Sequence, residues 1–283
     1  MNQERTLLVT DLDGTLLTTQ STLTKRTRAA LQQATEGGLR VTCATARSLT
    51  SARKLLKTVD FQLPVILHNG AVTADLSSGQ IALRKDISPR SVKLMVRACR
   101  DAGISPLIHT FAAQESVAWV KPLANQYIDN FWAKRPDDPR RSACKGWEEL
   151  PSEAVICVSA LGDARRIRQL AAGIQRLSLN VDVSLRSNEK RDGAMWMEVL
   201  AAGVCKGTAV RDLAALHGIT RIVVVGDDVN DISMFDAAHE AYAVGNAHWK
   251  LKSKATAILA SNDRDGVAWL IERLVRTAVT VEN

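Results

Sequence analysis

Two aspartates, Asp11 and Asp13, followed at once by Gly14 and Thr15, close an apolar run that begins at Leu7. A carboxylate is a competent nucleophile toward phosphorus: it forms an acyl phosphate that water later hydrolyses, so one acid can attack while its neighbour gives or takes a proton. Side chains alternate along an extended strand, so the two acids can point the same way while Leu12 points into the packing. Like charges held this close call for a shared proton or a cation. The string Asp-x-Asp-Gly also occurs as a plain turn or as a piece of a calcium loop, because Asp and Gly favour turns for backbone reasons. The rest of the chain has to decide between these readings.

More chemistry-bearing residues follow other apolar runs. Leu39 to Ala44 ends at Thr45-Ala46-Arg47-Ser48, where a hydroxyl in front of a helix N-terminus can bind a phosphoryl oxygen or merely cap the helix. Lys206 opens a helix, and the β-branched run Arg221 to Val225 ends in Gly226-Asp227-Asp228-Val229-Asn230-Asp231. Phosphoryl transfer needs an in-line nucleophile, cations spread over the equatorial oxygens, and donors already in place. Asp11 would be the nucleophile, Thr45 a hydroxyl donor and Lys206 a fixed ammonium. Asp227 with Asp11 would hold a hard cation, for which Mg²⁺ is the expected choice. Singly, Lys206 only starts a helix and Asp231 only caps one; together they arrive in chain order at strand ends.

The elements that must position these residues read as alternating strands and helices. Strands are expected at Leu7 to Thr10, Leu39 to Ala44 and Val65 to His68, with a helix from Thr24 to Glu36 and another through Leu49 and Leu56. From about Ile81 to Met195 the pattern changes to two helix-containing units: Ser88-Pro89 to Gly103 with a strand at Ile104 to Ile108, then strands at Val155 to Ala160 and Asn180 to Leu185 around a helix from Asp163. Lys134 to Lys145 reads as a loop. The main pattern resumes near Trp196 with a short strand at Met197 to Leu200, and runs through Ala241 to Val244 to a last helix from Asp265 to Val275. The fold class is α/β, with ligands expected beyond the carboxyl ends of a parallel sheet.

At 283 residues, with 46% hydrophobic and 24% charged residues, the chain is expected to be soluble and globular, with room for two domains. No apolar stretch approaches the roughly 20 residues of a membrane helix, and no signal segment is visible, so a cytoplasmic protein without a membrane partner is expected. The five scattered cysteines suggest neither disulfides nor zinc. The net charge of +7 suits an anionic partner, but no basic tract is interleaved with aromatics, which argues for a small phosphorylated metabolite and against nucleic acid.

Asp-Leu-Asp-Gly-Thr, Thr45, Lys206 and Gly-Asp-Asp-Val-Asn-Asp resemble the four motifs of the haloacid dehalogenase (HAD) superfamily of phosphatases. With Asn69-Gly70-Ala71, Gly245-Asn246-Ala247 and Asp265-Gly266-Val267, the chain is similar to its Cof-like subgroup. The resemblance implies a Rossmann-like, doubly wound parallel-sheet core at residues 1–83 and 196–283, and an inserted α/β cap of type II at residues 84–195 that chooses the substrate. It implies that Asp13 protonates the leaving oxygen, then deprotonates water, while its carbonyl binds Mg²⁺. Asp227 and Asp231 would complete and support the metal site, Asn230 would help position Lys206, and Arg47, Asn69, Gly70 and Asn230 are candidates for substrate contact. Ala46 stands where the subgroup usually has glycine, so it brings strain if the backbone there takes a positive φ. Trp119, Trp132, Trp147 and Trp196, with Phe111, Tyr127 and Phe131, fall in the cap region as core or as stacking surfaces. A sugar phosphate is the first expectation and a cofactor phosphate the second, for a monomer or homodimer. A phosphomutase of the same superfamily and a non-enzymatic phosphoryl-binding protein are the alternatives.

Overall fold

The computed structural model describes residues 5–123, 125–187 and 194–281, without the side chains of residues 122 and 278–281. It divides into two compact units, Met1–Arg84 with Cys205–Asn283, and Lys85–Val204. The first unit opens with β1 (Thr6–Thr10), whose Leu7, Leu8 and Val9 are fully buried, as a central parallel strand requires. In α1 (Lys25–Glu36), Thr24 caps the N-terminus by accepting from the Thr27 amide, and the buried Ala30, Leu31 and Ala34 face inward. Next come β2 (Arg40–Cys43) and α2 (Leu49–Leu55), then a small antiparallel sheet of β3 (Val65–Leu67), β4 (Val72–Ala74) and β5 (Ile81–Arg84).

The second unit contains α3 (Pro89–Asp101), β6 (Leu107–Phe111), β7 (Glu115–Val120), α4 (Gln126–Ala133), β8 (Arg141–Cys144), β9 (Val155–Asp163), α5 (Ala164–Arg176), β10 (Val181–Ser187) and β11 (Ala194–Ala201). Its six strands lie in the order β10-β11-β9-β6-β7-β8. Apolar stripes on α3 (Val92, Met95, Cys99) and α5 (Ile167, Leu170, Ile174) share one core with Val158 and Met197. A smaller cluster of Leu107, Val117, Trp119, Ile128 and Trp132 packs with α4.

Two expectations change here. The strand near Met197 does not reopen the main sheet: it lies in β11, antiparallel to both β9 and β10. A short apolar run cannot say which sheet it joins, because pairing partners are set by contacts distant in sequence. Residues 134–145 are not all loop either, since β8 pairs parallel with β7. Three of its four residues are exposed, so this edge strand carries no apolar alternation to betray it.

The chain then returns to the first unit through α6 (Lys206–Leu216), β12 (Arg221–Gly226), α7 (Ile232–Phe235), β13 (Glu240–Ala243), α8 (Trp249–Lys252), β14 (Ala257–Ile258) and α9 (Gly266–Val281). The parallel sheet has the order β14-β13-β12-β1-β2. From β1 the chain steps to β2 on one side and later to β12 on the other, so the order reverses beside β1. That is where an open α/β sheet leaves a crevice at its carboxyl edge. Thr10 pairs with Val225 there, which brings the loops after β1 and β12 together.

Candidate active site

Asp11 follows β1 directly, its amide extending the sheet by donating to the Val225 carbonyl at 2.9 Å. Lys206, the first residue of α6, is 1% exposed. Its Nζ donates to Asp11 Oδ1 at 2.5 Å and to Asp231 Oδ1 at 2.6 Å. Burial alone works against the ammonium, but the two carboxylates outweigh it and hold its pKa above the ordinary value. Asp11 is pushed up by burial, with Lys206 pulling the other way.

Asp231 spends its second oxygen on the loop after β12, accepting from the amides of Asp227 at 2.9 Å and Asp228 at 3.1 Å. Its carboxylate therefore ties Lys206 to the turn that carries Asp227. Asp227 accepts from the Thr15 hydroxyl at 2.9 Å, and its pKa is pushed up to about 6 by burial and by the neighbouring Asp231 charge. Gly14 makes room for it: with φ of +80°, a Cβ on Gly14 would lie 2.4 Å from Asp227 Oδ2. The Thr15 contact escaped sequence reasoning, and the only signal for it is a hydroxyl placed just past Gly14.

Asp11, Asp227 and Asp231 each offer a carboxylate oxygen within 4.8 Å of the others. All three donors are oxygens, Asp11 and Asp227 are shifted upward by burial and by the neighbouring carboxylates, and no thiolate or imidazole belongs to the group. This donor set fits a hard divalent cation.

Asp13 departs from the alternation expected of a strand. The chain turns after Asp11, with Thr15 N donating to the Leu12 carbonyl at 3.3 Å, and Asp13 is exposed rather than buried beside Asp11. Arg47 holds its carboxylate through two hydrogen bonds of 2.6 Å each, from Nε and Nη2, while Arg47 Nη1 donates to Ser51.

Thr45 is buried, and its hydroxyl accepts from the Arg47 amide at 3.1 Å. Ser48, not Thr45, caps α2 by accepting from the Ser51 amide, which leaves Thr45 free of that duty. Ala46 keeps a negative φ, so the methyl group in place of the usual glycine brings no backbone strain. Asn69 is left-handed, at φ of 54°, and its Oδ1 accepts from Asn230 Nδ2 at 3.1 Å. Asn230 is thus joined to Asn69 rather than to Lys206. Gly70 has φ of +106°, and a Cβ there would lie 2.3 Å from the Cys205 carbonyl, so its lack of a side chain lets the turn after β3 touch the residue before Lys206.

A family model for haloacid dehalogenase-like hydrolases matches residues 8–271. The chain belongs to that family. A 5-amino-6-(5-phospho-D-ribitylamino)uracil phosphatase of Bacillus subtilis is 27% identical over 289 aligned positions, covering 94% of this chain and 96% of the relative. A pyridoxal phosphate phosphatase of Escherichia coli is 24% identical, covering 94% of this chain and 97% of the relative. Among solved structures, a haloacid dehalogenase-like hydrolase from Bacteroides thetaiotaomicron shares 25% identity at a TM-score of 0.80, covering 96% of this chain and 100% of that one. The family match spans both units, and the buried Lys206 with its acids lies wholly in the unit formed by the two ends of the chain.

Proposed function

We propose that the chain hydrolyses the phosphate ester of a small metabolite with Mg²⁺ as cofactor, and that Asp11 is transiently phosphorylated. That it is a phosphatase follows from its family and its named relatives. The finer reading rests on one observation: a buried ammonium bonded at once to the acid after β1 and to an acid after β12, beside a third carboxylate.

Asp11 attacks phosphorus with the oxygen that Lys206 does not hold. As the P–O bond to the metabolite breaks, Asp13 gives its proton to the leaving oxygen. It then takes a proton from the water that attacks the acyl phosphate, releasing phosphate and restoring Asp11. Lys206 and the Thr45 hydroxyl sit still through this sequence and meet the charge on the phosphoryl oxygens without reorganising. Arg47, which holds Asp13 in the structure, would exchange it for the substrate's phosphate and so free the acid. A cation held by Asp11 and Asp227, with Asp231 supporting, would offset the charge that gathers between nucleophile and phosphate. The relatives named for 5-amino-6-(5-phospho-D-ribitylamino)uracil, pyridoxal phosphate and HMP-PP make phosphates of such ring compounds the first candidates, with sugar phosphates second.

The test is phosphate release from a panel of phosphorylated cofactors and sugars with Mg²⁺, with Asp11→Asn alongside. Release that disappears both with EDTA and in the variant is the expected result. Release that survives Asp11→Asn would sink the phosphoenzyme reading, and isomerised sugar phosphate without free phosphate would indicate a mutase.

A further inference from the structure

The second unit holds a cavity of about 400 Å³ between α4 and one face of its sheet, within the range of small-molecule sites. Tyr127 and Phe131 come from α4, one helical turn apart, and Trp196 comes from β11; Lys134, Arg135 and Arg186 complete the charged part of the wall. Among the described residues no carboxylate lines it; Gln126, Asn130 and Ser187 supply the rest of its polar wall.

The sequence builds this wall by register. Trp196 stands directly opposite Arg186 of β10 on one side and Leu161 of β9 on the other, so the three side chains form a row across one sheet face. The Phe131 ring lies 5.7 Å from Trp196, tilted by 42°, and the Arg135 guanidinium covers Phe131 at 4.1 Å. These aromatics differ from their neighbours in burial. Trp119 and Trp132 stack on each other at 4.6 Å inside the core, whereas Tyr127, Phe131 and Trp196 are only half-buried and keep ring surface open to the cavity. Lys134 and Arg186 are exposed, and among the described residues neither is paired with an acid. Open ring faces favour a flat partner, and unpaired cations beside them favour a negative charge on it.

We propose that this cavity binds a planar ring carrying an anionic group, with Trp196 on the ring face and Arg186 and Lys134 on the charge. The proposal concerns the second unit alone and stands apart from the phosphatase reading.

The test is calorimetric titration of the whole chain with orotate, a planar carboxylate without a phosphoryl group, beside uracil, gluconate and inorganic phosphate. Orotate is expected to bind, with uracil and gluconate at least about tenfold weaker. Trp196→Ala and Arg186→Ala should each weaken orotate by about tenfold or more, Trp196→Phe should retain most of it, and Asp11→Asn should leave it unchanged. Orotate binding that ignores both cavity variants, or gluconate bound as tightly as orotate, would overturn the proposal even if phosphate esters are hydrolysed. Cavity-dependent orotate binding without hydrolysis of any ester would uphold the cavity and sink the activity.

Discussion

Replacing Lys206 by Met keeps most of the buried stem and deletes the ammonium, which isolates what the charge does. Nζ is enclosed with Asp11 at 2.5 Å and Asp231 at 2.6 Å, so the variant leaves two buried carboxylates facing each other without a cation. Removing one partner of a buried pair costs about 3–5 kcal/mol when the remaining charge cannot escape. These acids have an escape, which is to bind a proton, and that gives the prediction its sign. Lys206 has a raised pKa, so it is protonated in folded and unfolded states alike from pH 5 to pH 8, and its own contribution is flat there. In the variant Asp11, already pushed up by burial, loses the Lys206 charge that pulls it down, so the folded state binds more protons than the unfolded state, and its stability falls as pH rises. The loss relative to the parent should therefore be about 3–5 kcal/mol at pH 8 and smaller by on the order of 2 kcal/mol at pH 5. Urea unfolding of both proteins at the two pH values, in EDTA, measures this. Adding Asp231→Asn to Lys206→Met should restore part of the stability at pH 8 by removing one of the opposed charges. Turnover should fall by about 10²-fold or more. A loss below about 1 kcal/mol, or one that does not depend on pH, would refute the argument.

Three further outcomes test other parts of the site. In metal-free protein Asp227 is pushed up to about 6 from an ordinary 3.8, so its contribution to stability is fully present below about pH 4 and lost as pH rises through 6. The expected loss is on the order of 1–2 kcal/mol after allowance for its partial exposure, and Mg²⁺ should raise the urea midpoint more at pH 7.5 than at pH 4.5; an equal rise at both would count against Asp227 as a ligand. Gly70→Ala should cost about 3 kcal/mol or more, because its Cβ would meet the Cys205 carbonyl at 2.3 Å, while Gly173→Ala in α5, with its nearest contact at 3.9 Å, should be neutral or stabilising by up to about 1 kcal/mol. Ala46→Gly should lower thermal stability by about 0.5–1 kcal/mol rather than relieve anything, since Ala46 already has a negative φ; a rise in melting temperature would contradict this.

What the sequence reveals about this site depends on how far apart the interacting residues lie along the chain. Asp11, Lys206 and Asp227 were readable because each follows or begins an element with strong local signals: aliphatic runs that end abruptly and a helix start. That three such ends meet follows from β1 pairing with β12, and the alternation of strand and helix predicts a parallel sheet in which they can meet. The partners of each side chain are a different matter. Asp11 and Asp13 look equivalent in sequence, yet one is buried against Lys206 and the other is exposed against Arg47, because the strand ends before Leu12 and the period-two rule ends with it. Asn230 was linked to Lys206 by resemblance and is found on Asn69, two residues that are 161 positions apart. The same limit moved the strand around Met197 from one sheet to the other, since its burial pattern would serve either. Trp196 shows the consequence for function. Its position left it as core, the commoner case, or as contact surface, and only its register against Arg186 and Leu161 places its ring beside a cation that is unpaired among the described residues. Chemistry shared with a family is therefore written in motifs that local signals expose. The residues proposed to select a ligand are set by cross-strand register, and a register shift of one residue would turn Trp196 to the other face and abolish the cavity wall without altering any motif.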